Sequence, residues 1–111
     1  MKHLALLAFA SLCACAPTTA APPADLASLA PADARLAGLY EGSCKACHIN
    51  PQSGAPLTHD ARAWAPRWKQ GEGVLLDHVI QGYKAMPATG QCAACTPDDF
   101  QALTRFMADK S

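Results

Sequence analysis

Two cysteines and a histidine form the densest group of reactive side chains in this 111-residue sequence. Cys44 and Cys47 are separated by two residues, and His48 follows the second cysteine directly. With this spacing, two thiols can add to the vinyl groups of a haem while the adjacent imidazole binds its iron. The motif therefore predicts one covalently attached haem c, held by Cys44 and Cys47, with His48 as an axial iron ligand.

A disulfide or half of a zinc site is the alternative use of this first cysteine pair. Zinc would need two further ligands, which only Cys92 and Cys95 could provide. The residue after Cys95 is Thr96 and not histidine, so a second covalent haem is not expected. In an oxidising compartment the simplest outcome for the second pair is a disulfide with a local effect, because the loop that it closes is very small.

Four helices and no strand are predicted from the spacing of apolar residues and from residues that start and stop helices. Their expected extents are 33 to about 45, 59 to about 68, 73 to 82, and about 97 to 109. Pro66 would break the second helix if it were longer. Thr96 and Asp99 give the last helix a capping pattern. The expected fold class is therefore all-α.

The sequence resembles small bacterial class I cytochromes c and, within them, the cytochrome c5 family. The resemblance covers about residues 36 to 107 and depends on five stretches that recur in order and at similar spacing. They are CKACH at 44–48, GAP at 54–56, AWAPRWKQG at 63–71, GYKAMP at 82–87 and GQCAAC at 90–95. The resemblance implies a compact cytochrome c fold around one haem, with the first and last helices crossing and one haem edge meeting solvent. It also implies a disulfide between Cys92 and Cys95.

The same resemblance assigns roles to individual residues. His48 and Met86 would be the axial iron ligands. The neighbourhood of Pro56 would supply a carbonyl to the second nitrogen of the histidine, which fixes the ring and raises its basicity. Trp64 would lie against the haem, and Arg67 would hold a haem propionate. The alternatives are a core position on one helix face for Trp64 and a solvated surface position for Arg67.

The sequence itself also favours Met86 as the sixth iron ligand. Met107 falls on the apolar face of the last predicted helix, where it is needed as core. Met86 lies in a glycine-flanked loop next to Pro87, 38 residues after the ligating histidine, so the chain can pass around the haem before presenting the sulfur. His59 and His78 are weaker alternatives, since one lies at a loop end and the other within a predicted helix.

The N-terminal third of the chain differs from the rest in composition. Residues 1–15 contain an apolar run too short to span a bilayer and are interpreted as an export signal. Residues 16–30 resemble an Ala/Pro-rich tether, and residues 31–111 form the predicted cytochrome c domain. Leucine three residues before Cys15, with a small residue directly before it, predicts lipidation and a membrane tether. Cleavage after Ala20 is the alternative and would release the protein from the membrane.

These observations favour a periplasmic one-electron carrier and not an enzyme, because histidine with methionine leaves no open position on iron. The expected partners are exported or membrane-bound redox proteins, such as a membrane oxidoreductase or a terminal reductase. A gas-binding or peroxidatic haem protein is the alternative if Met86 is not a stable ligand. A dithiol oxidoreductase would need a βαβ pattern, which the sequence lacks. Nine basic residues balance nine acidic ones, which argues against nucleic acid as a partner.

Overall fold

The structure, a computed structural model, describes residues 25–110 and consists mainly of helices. Five α-helices follow in chain order: α1 Ala34–Gly42, α2 Lys45–His48, α3 Ala61–Trp68, α4 Glu72–Gln81 and α5 Pro97–Met107. Three short 3-10 turns lie between or before them, at Leu26–Ser28, Pro51–Ser53 and Ala88–Gln91. Within residues 25–110 the sole β pairing is an isolated bridge between Tyr83 and Met86. The all-α class expected from the sequence is confirmed.

Residues 25–110 include no helix that is both long enough and apolar enough to cross a bilayer. The predicted export signal, Cys15 and most of the predicted tether lie outside the described residues.

The single first helix expected from 33 to 45 is wrong, because the chain forms two helices there. Helix α1 ends at Gly42, and Ser43 leaves the helical region with φ −143° and ψ −77°. The Ser43 hydroxyl donates to the Leu39 carbonyl at 2.6 Å, so a side chain pairs with a carbonyl at the end of the helix. The chain then turns into α2, a single turn that carries the C-x-x-C-H motif.

Helix α3 continues through Pro66, although the sequence offered good helix formers only as far as residue 65. The Asp60 carboxylate caps its start and accepts from the backbone N–H groups of Arg62 and Ala63 at 3.2 Å each. Proline removes one helical hydrogen bond near the end of this short helix. The cost is limited because α3 stops two residues later, at Trp68.

Glycines with positive φ flank α4, and the first of them differs from the expected one. Gly71, at φ 97°, precedes the helix, whereas Gly73 lies inside it. Gly82, at φ 87°, ends the helix as predicted. Both conformations suit glycine because residues with a side chain rarely adopt positive φ.

The start of α5 has the capping pattern that the sequence predicts. The Thr96 hydroxyl accepts from the Asp99 N–H at 3.2 Å, and the Asp99 carboxylate accepts from the Thr96 N–H at 2.9 Å. Asp99 also accepts two hydrogen bonds from Arg35 of α1, each 2.7 Å long. These contacts hold the pKa of Asp99 well below its usual range, chiefly through the Arg35 hydrogen bonds. The N-termini of the first and last helices are thereby joined.

The core lies where α1, α3 and α5 meet. Its buried members are Tyr40, Trp64, Leu103, Met107 and Ala108, with Leu36, Leu39, Trp68 and Phe106 packed around them. Met107 is 3% exposed, which confirms the core position predicted for it. A second bidentate ion pair, between Glu72 of α4 and Arg105 of α5, ties α4 to this core from outside. The fold thus holds α2 and its connection to α3 against a rigid set of helices.

Candidate functional site

The predicted haem-attachment residues all lie at or on the single-turn helix α2. Cys44 immediately precedes the helix, and Cys47 and His48 are its last two residues. Both cysteines are free thiols; Cys44 is partly buried and Cys47 is exposed. Burial raises the pKa of the Cys44 thiol, and a contact of 3.5 Å with the Ser43 hydroxyl opposes this effect. The two thiols lie three residues apart on a helical turn and therefore on one side of it.

His48 is buried, with 6% of its surface exposed. Its Nδ1 atom lies 2.7 Å from the Pro56 carbonyl oxygen. A carbonyl can only accept, so Nδ1 carries the proton and the Nε2 lone pair stays free among the described residues. Burial lowers the pKa of His48; the bond to Pro56 raises it, and the positive charge of Arg67 lowers it. The Pro56 contact therefore orients the imidazole ring and leaves its second nitrogen available to a metal.

Three consecutive residues, Pro56, Leu57 and Thr58, hold this histidine in place and are called the strap here. Besides the Pro56 contact, the Thr58 N–H donates to the His48 carbonyl at 2.7 Å. The Leu57 carbonyl accepts from Trp64 Nε1 at 2.8 Å. The strap therefore fixes both the ring and the backbone of His48, while α3 fixes the strap.

A buried hydrogen bond ties the strap to α1. The hydroxyls of Tyr40 and Thr58 lie 2.8 Å apart, and both side chains are fully buried. Burial removes both hydroxyls from water, so each would have no hydrogen bond if its partner were absent. The contact therefore favours one position of the strap. No pattern in the sequence indicated this pair, because its members are 18 residues apart and belong to different elements.

Trp64 occupies a core position on its helix, and its contact with a haem stays a prediction. It is 4% exposed, and its ring lies 5.9 Å from the His48 ring with an interplanar angle of 20°. Arg67 is partly buried, and its Nη1 donates to the Ala63 carbonyl. Among the described residues Arg67 has no carboxylate partner. Trp64 and Arg67 thus both act on His48: the Trp64 ring stacks on the imidazole, and the Arg67 charge lowers its pKa.

Met86 lies in a separate loop that follows α4. Its N–H donates to the Tyr83 carbonyl at 2.9 Å, and its carbonyl accepts from the Tyr83 N–H at 3.0 Å. Lys84 adopts a left-handed conformation with φ 53° in this turn. Gly90 approaches from the other side: a Cβ at that position would lie 3.3 Å from the Met86 methyl carbon. The backbone hydrogen bonds that position Met86 come from its own loop, and the end of that loop, Ala88–Gln91, packs against α4.

The second cysteine pair follows the methionine loop. Cys92 and Cys95 are joined as a disulfide with their Cα atoms 5.4 Å apart. The Cys92 N–H donates to the Thr89 carbonyl at 2.9 Å, and Thr96 begins the cap of α5. The disulfide therefore connects the methionine loop to the last helix. In residues 25–110 no three His, Cys, Asp or Glu side chains converge as a metal site, so the structure gives no support to the zinc alternative.

This donor set fits a covalently attached haem. It contains two free thiols on one side of a helical turn and, beside them, a buried imidazole whose remaining nitrogen has no protein partner in the described chain. The hydrogen bond from Nδ1 to a carbonyl is the contact that usually orients a metal-binding histidine.

Comparison with known proteins identifies the family. The sequence profile described as "Cytochrome C oxidase, cbb3-type, subunit III" matches residues 31–107. Cytochrome c-555 of Chlorobaculum tepidum is 38% identical over 65% of this chain and 70% of its own length. Cytochrome c5 of Azotobacter vinelandii is 39% identical over 58% of this chain and 80% of its own length.

A solved structure is also similar to this one. It is described as "Crystal structure of electron transfer complex of nitrite reductase with cytochrome c". The TM-score is 0.62 with 35% sequence identity, covering 70% of this chain and 95% of the other. The chain belongs to the cytochrome c family, among the small class I members, which carry covalently bound haem c and act as electron carriers and not as enzymes.

Proposed function

We propose that this protein carries single electrons by means of one haem c, with Cys44 and Cys47 as thioether residues and His48 and Met86 as the axial ligands. The observation that supports this most directly is the buried His48, which follows the two free cysteines and has its Nδ1 engaged by Pro56. When bound, the haem supplies a one-electron iron couple. The protein supplies attachment, ligands and the surroundings of the iron.

The surroundings of His48 suit a ligand that must not change during electron transfer. Burial lowers the pKa of the imidazole, and the Pro56 carbonyl increases its electron donation by accepting from Nδ1. Trp64 and the strap restrict rotation of the ring. In this proposal Arg67, which lacks a carboxylate partner in the described chain, pairs with a haem propionate.

Filling both axial positions with protein side chains favours transfer of electrons over catalysis at iron. Substitution of the methionine tests this. Met86→Ala should abolish the far-red sulfur-to-iron band of the oxidised protein, lower the midpoint potential and allow carbon monoxide to bind, while the haem stays covalent. Met107→Leu is the matched control, because it removes the buried core methionine at similar volume and should keep the band.

Two outcomes would contradict the proposed ligands. If Met86→Ala keeps both the band and the potential, another residue holds the sixth position. If the unmodified protein binds carbon monoxide readily, the gas-binding or peroxidatic alternative is favoured. Attachment is tested separately: acid-acetone extraction should leave the colour on the polypeptide, and haem that extracts freely would refute the thioether assignment.

We also propose that the protein is exported to the periplasm by residues 1–15, lipidated at Cys15 and tethered by residues 16–30. One set of acyl chains of this kind would hold the domain at a membrane surface. The intact mature protein should therefore have a blocked, acylated N-terminus at Cys15 by mass spectrometry. An unblocked N-terminus at Ala21 would refute lipidation and leave export by simple cleavage.

The proposed partners are redox proteins in the same compartment, such as a membrane oxidoreductase as donor and a terminal reductase as acceptor. The related structure supports this class, since it is described as an electron transfer complex of nitrite reductase with cytochrome c. Reduction and oxidation of the purified holoprotein by membranes from its own source, followed spectroscopically, would test the proposal. Membranes that neither reduce nor oxidise it would contradict a membrane-bound partner.

A further inference from the structure

Two aromatic side chains, one near the end of α4 and one just after it, form a close stack outside the residues proposed to hold the haem. His78, in the last part of the helix, and Tyr83, just after it, have ring centroids 3.9 Å apart and an interplanar angle of 14°. Lys84 Nζ lies 5.3 Å from the Tyr83 ring centroid. Tyr83 is 44% exposed, and its hydroxyl has no hydrogen-bond partner among the described residues. The contact of this side chain with the helix is therefore made by its ring.

The backbone of Tyr83 is joined directly to that of Met86. Two hydrogen bonds of 2.9 and 3.0 Å run between them, one in each direction. A residue bonded in this way cannot shift without moving its partner. The stack consequently connects helix α4 to the backbone that presents the methionine sulfur.

The later part of the same loop has other attachments, because the 3-10 turn at Ala88–Gln91 packs against α4 and the disulfide at Cys92 leads into α5. The Tyr83–Met86 turn lies before these attachments. Its first residue follows Gly82, and its second residue, Lys84, has a positive φ that residues with a side chain rarely adopt. Gly90 limits the methyl end of Met86 from within the same loop. The His78–Tyr83 stack is thus a side-chain contact that joins the Tyr83–Met86 turn itself to α4.

We propose that Tyr83, anchored by His78, is a positioning residue that holds the Met86 sulfur in reach of the iron and resists its displacement. This inference rests on the proposed ligation by Met86. Stacked aromatic pairs change an equilibrium by about 2- to 12-fold. Loss of the stack should raise the equilibrium constant for displacement of the sulfur by a factor in that range.

The test measures imidazole binding to the oxidised holoprotein through loss of the sulfur-to-iron band. Tyr83→Leu and His78→Leu should each bind imidazole about 2- to 12-fold more tightly than the unmodified protein. Tyr83→Phe and His78→Phe keep a ring in place and should bind as the unmodified protein does. Gln81→Ala is the matched control, because this exposed, uncharged residue lies in the same helix turn and outside the stack.

Two further measurements separate positioning from a general loss of stability. The double variant His78→Leu with Tyr83→Leu should bind imidazole as tightly as either single variant does, because both changes remove the same contact. Hydrogen exchange of the Met86 amide in the holoprotein should accelerate in Tyr83→Leu, while buried amides of α5 keep their rates. Additive single effects, or equal acceleration in α5, would overturn the inference.

The outcomes also distinguish this inference from the proposed ligation. If the unmodified protein shows the sulfur band but Tyr83→Leu binds imidazole like Gln81→Ala, the positioning role is wrong and the ligation stands. If the unmodified protein lacks the band and Met86→Ala changes nothing, the ligation fails and the inference fails with it.

Discussion

The two regions that carry the proposed iron ligands are held in different ways. The histidine side, residues 44–48 with the strap at 56–58, is fixed by partners from other elements, including Tyr40 of α1 and Trp64 of α3. The methionine side, residues 82–91, is held by hydrogen bonds within itself and by packing on α4, through residues 88–91 and through one aromatic stack. The histidine side includes three buried residues, His48, Leu57 and Thr58, whereas residues 82–91 are all partly or fully exposed.

The backbone shows the same contrast. Five residues of the methionine side have positive φ: Gly82, Lys84, Thr89, Gly90 and Gln91. None of the residues of the histidine side does. Positive φ is rare for residues other than glycine and persists only where surrounding contacts enforce it. We conclude that changes on the histidine side should mostly affect folding, and changes on the methionine side should mostly affect ligand displacement.

The largest effect is expected for Trp64→Ala on the histidine side. It removes a buried aromatic ring, its stacking on His48 and its hydrogen bond to Leu57, and should cost about 3–5 kcal/mol of unfolding free energy. Denaturant unfolding of the holoprotein would measure this. Trp68→Ala, a partly buried tryptophan of the same helix, is the control and should cost clearly less. Equal costs would show that the strap contact adds nothing.

On the methionine side, Gly82→Ala should be the most disruptive change. Gly82 has φ 87° and ψ 152°, and an added Cβ would lie 3.0 Å from the Ala88 nitrogen and 3.2 Å from the Met86 carbonyl oxygen. Alanine in this conformation should lower the free energy of unfolding by about 1–3 kcal/mol and weaken the sulfur-to-iron band. Gly90→Ala should be milder, since its Cβ meets only the flexible methyl end of Met86. The prediction is contradicted if Gly90→Ala lowers the free energy of unfolding more than Gly82→Ala does.

A smaller effect is expected from the buried hydroxyl pair. Tyr40→Phe leaves the Thr58 hydroxyl without its partner and should cost about 1–2 kcal/mol of unfolding free energy. Thr58→Val should cost a similar amount, and the double variant should cost less than the sum of the two. The sulfur band should stay unchanged in all three variants. A shifted band would mean that the histidine and methionine sides are coupled more closely than their contacts indicate.

The smallest effect concerns an ion pair that belongs to neither side. The pKa of Asp99 is held well below its usual range by Arg35, so the pair stabilises the fold above about pH 4, where an unfolded aspartate is ionised. This contribution is lost as the pH falls through the lower, folded pKa. Arg35→Met should therefore be slightly less stable than the unmodified protein at pH 7, and the difference should shrink on acidification.

Lys69→Met provides the control for this pH dependence, because Lys69 has no ion-pair partner among residues 25–110. Its stability relative to the unmodified protein should stay level over the same acid range. A difference for Arg35→Met that does not change with pH would show that Asp99 is not stabilised by Arg35.

Local rules predicted much of the fold. Helix α5, its capping box and the core position of Met107 depend on residues close in sequence, and the structure agrees with them. The break at Ser43 was missed because a serine hydroxyl competing for the Leu39 carbonyl gives no apolar pattern. The resemblance to cytochromes c also anticipated a carbonyl near Pro56 for His48, and the structure contains that bond.

Contacts between distant elements could not be predicted from one sequence. The Arg35–Asp99 pair spans 64 residues, and Tyr40 with Thr58 spans 18. Trp64 could be assigned to an apolar helix face but not to the Leu57 carbonyl, because a backbone acceptor leaves no trace in residue type. The His78–Tyr83 stack was missed for a related reason: Gly82 ends the helix between them, so helical spacing no longer relates their positions.

The strap has one more consequence, which concerns tolerance to insertion and deletion. Two of its three residues contact the site only through backbone oxygens, and Thr58 contributes its amide as well as its hydroxyl. Replacing Leu57 by another apolar residue leaves these contacts in place. Removing or adding a single residue would shift every donor and acceptor at once. At positions 56 and 57 the geometry of the site therefore depends on the number of residues in the strap more than on their side chains.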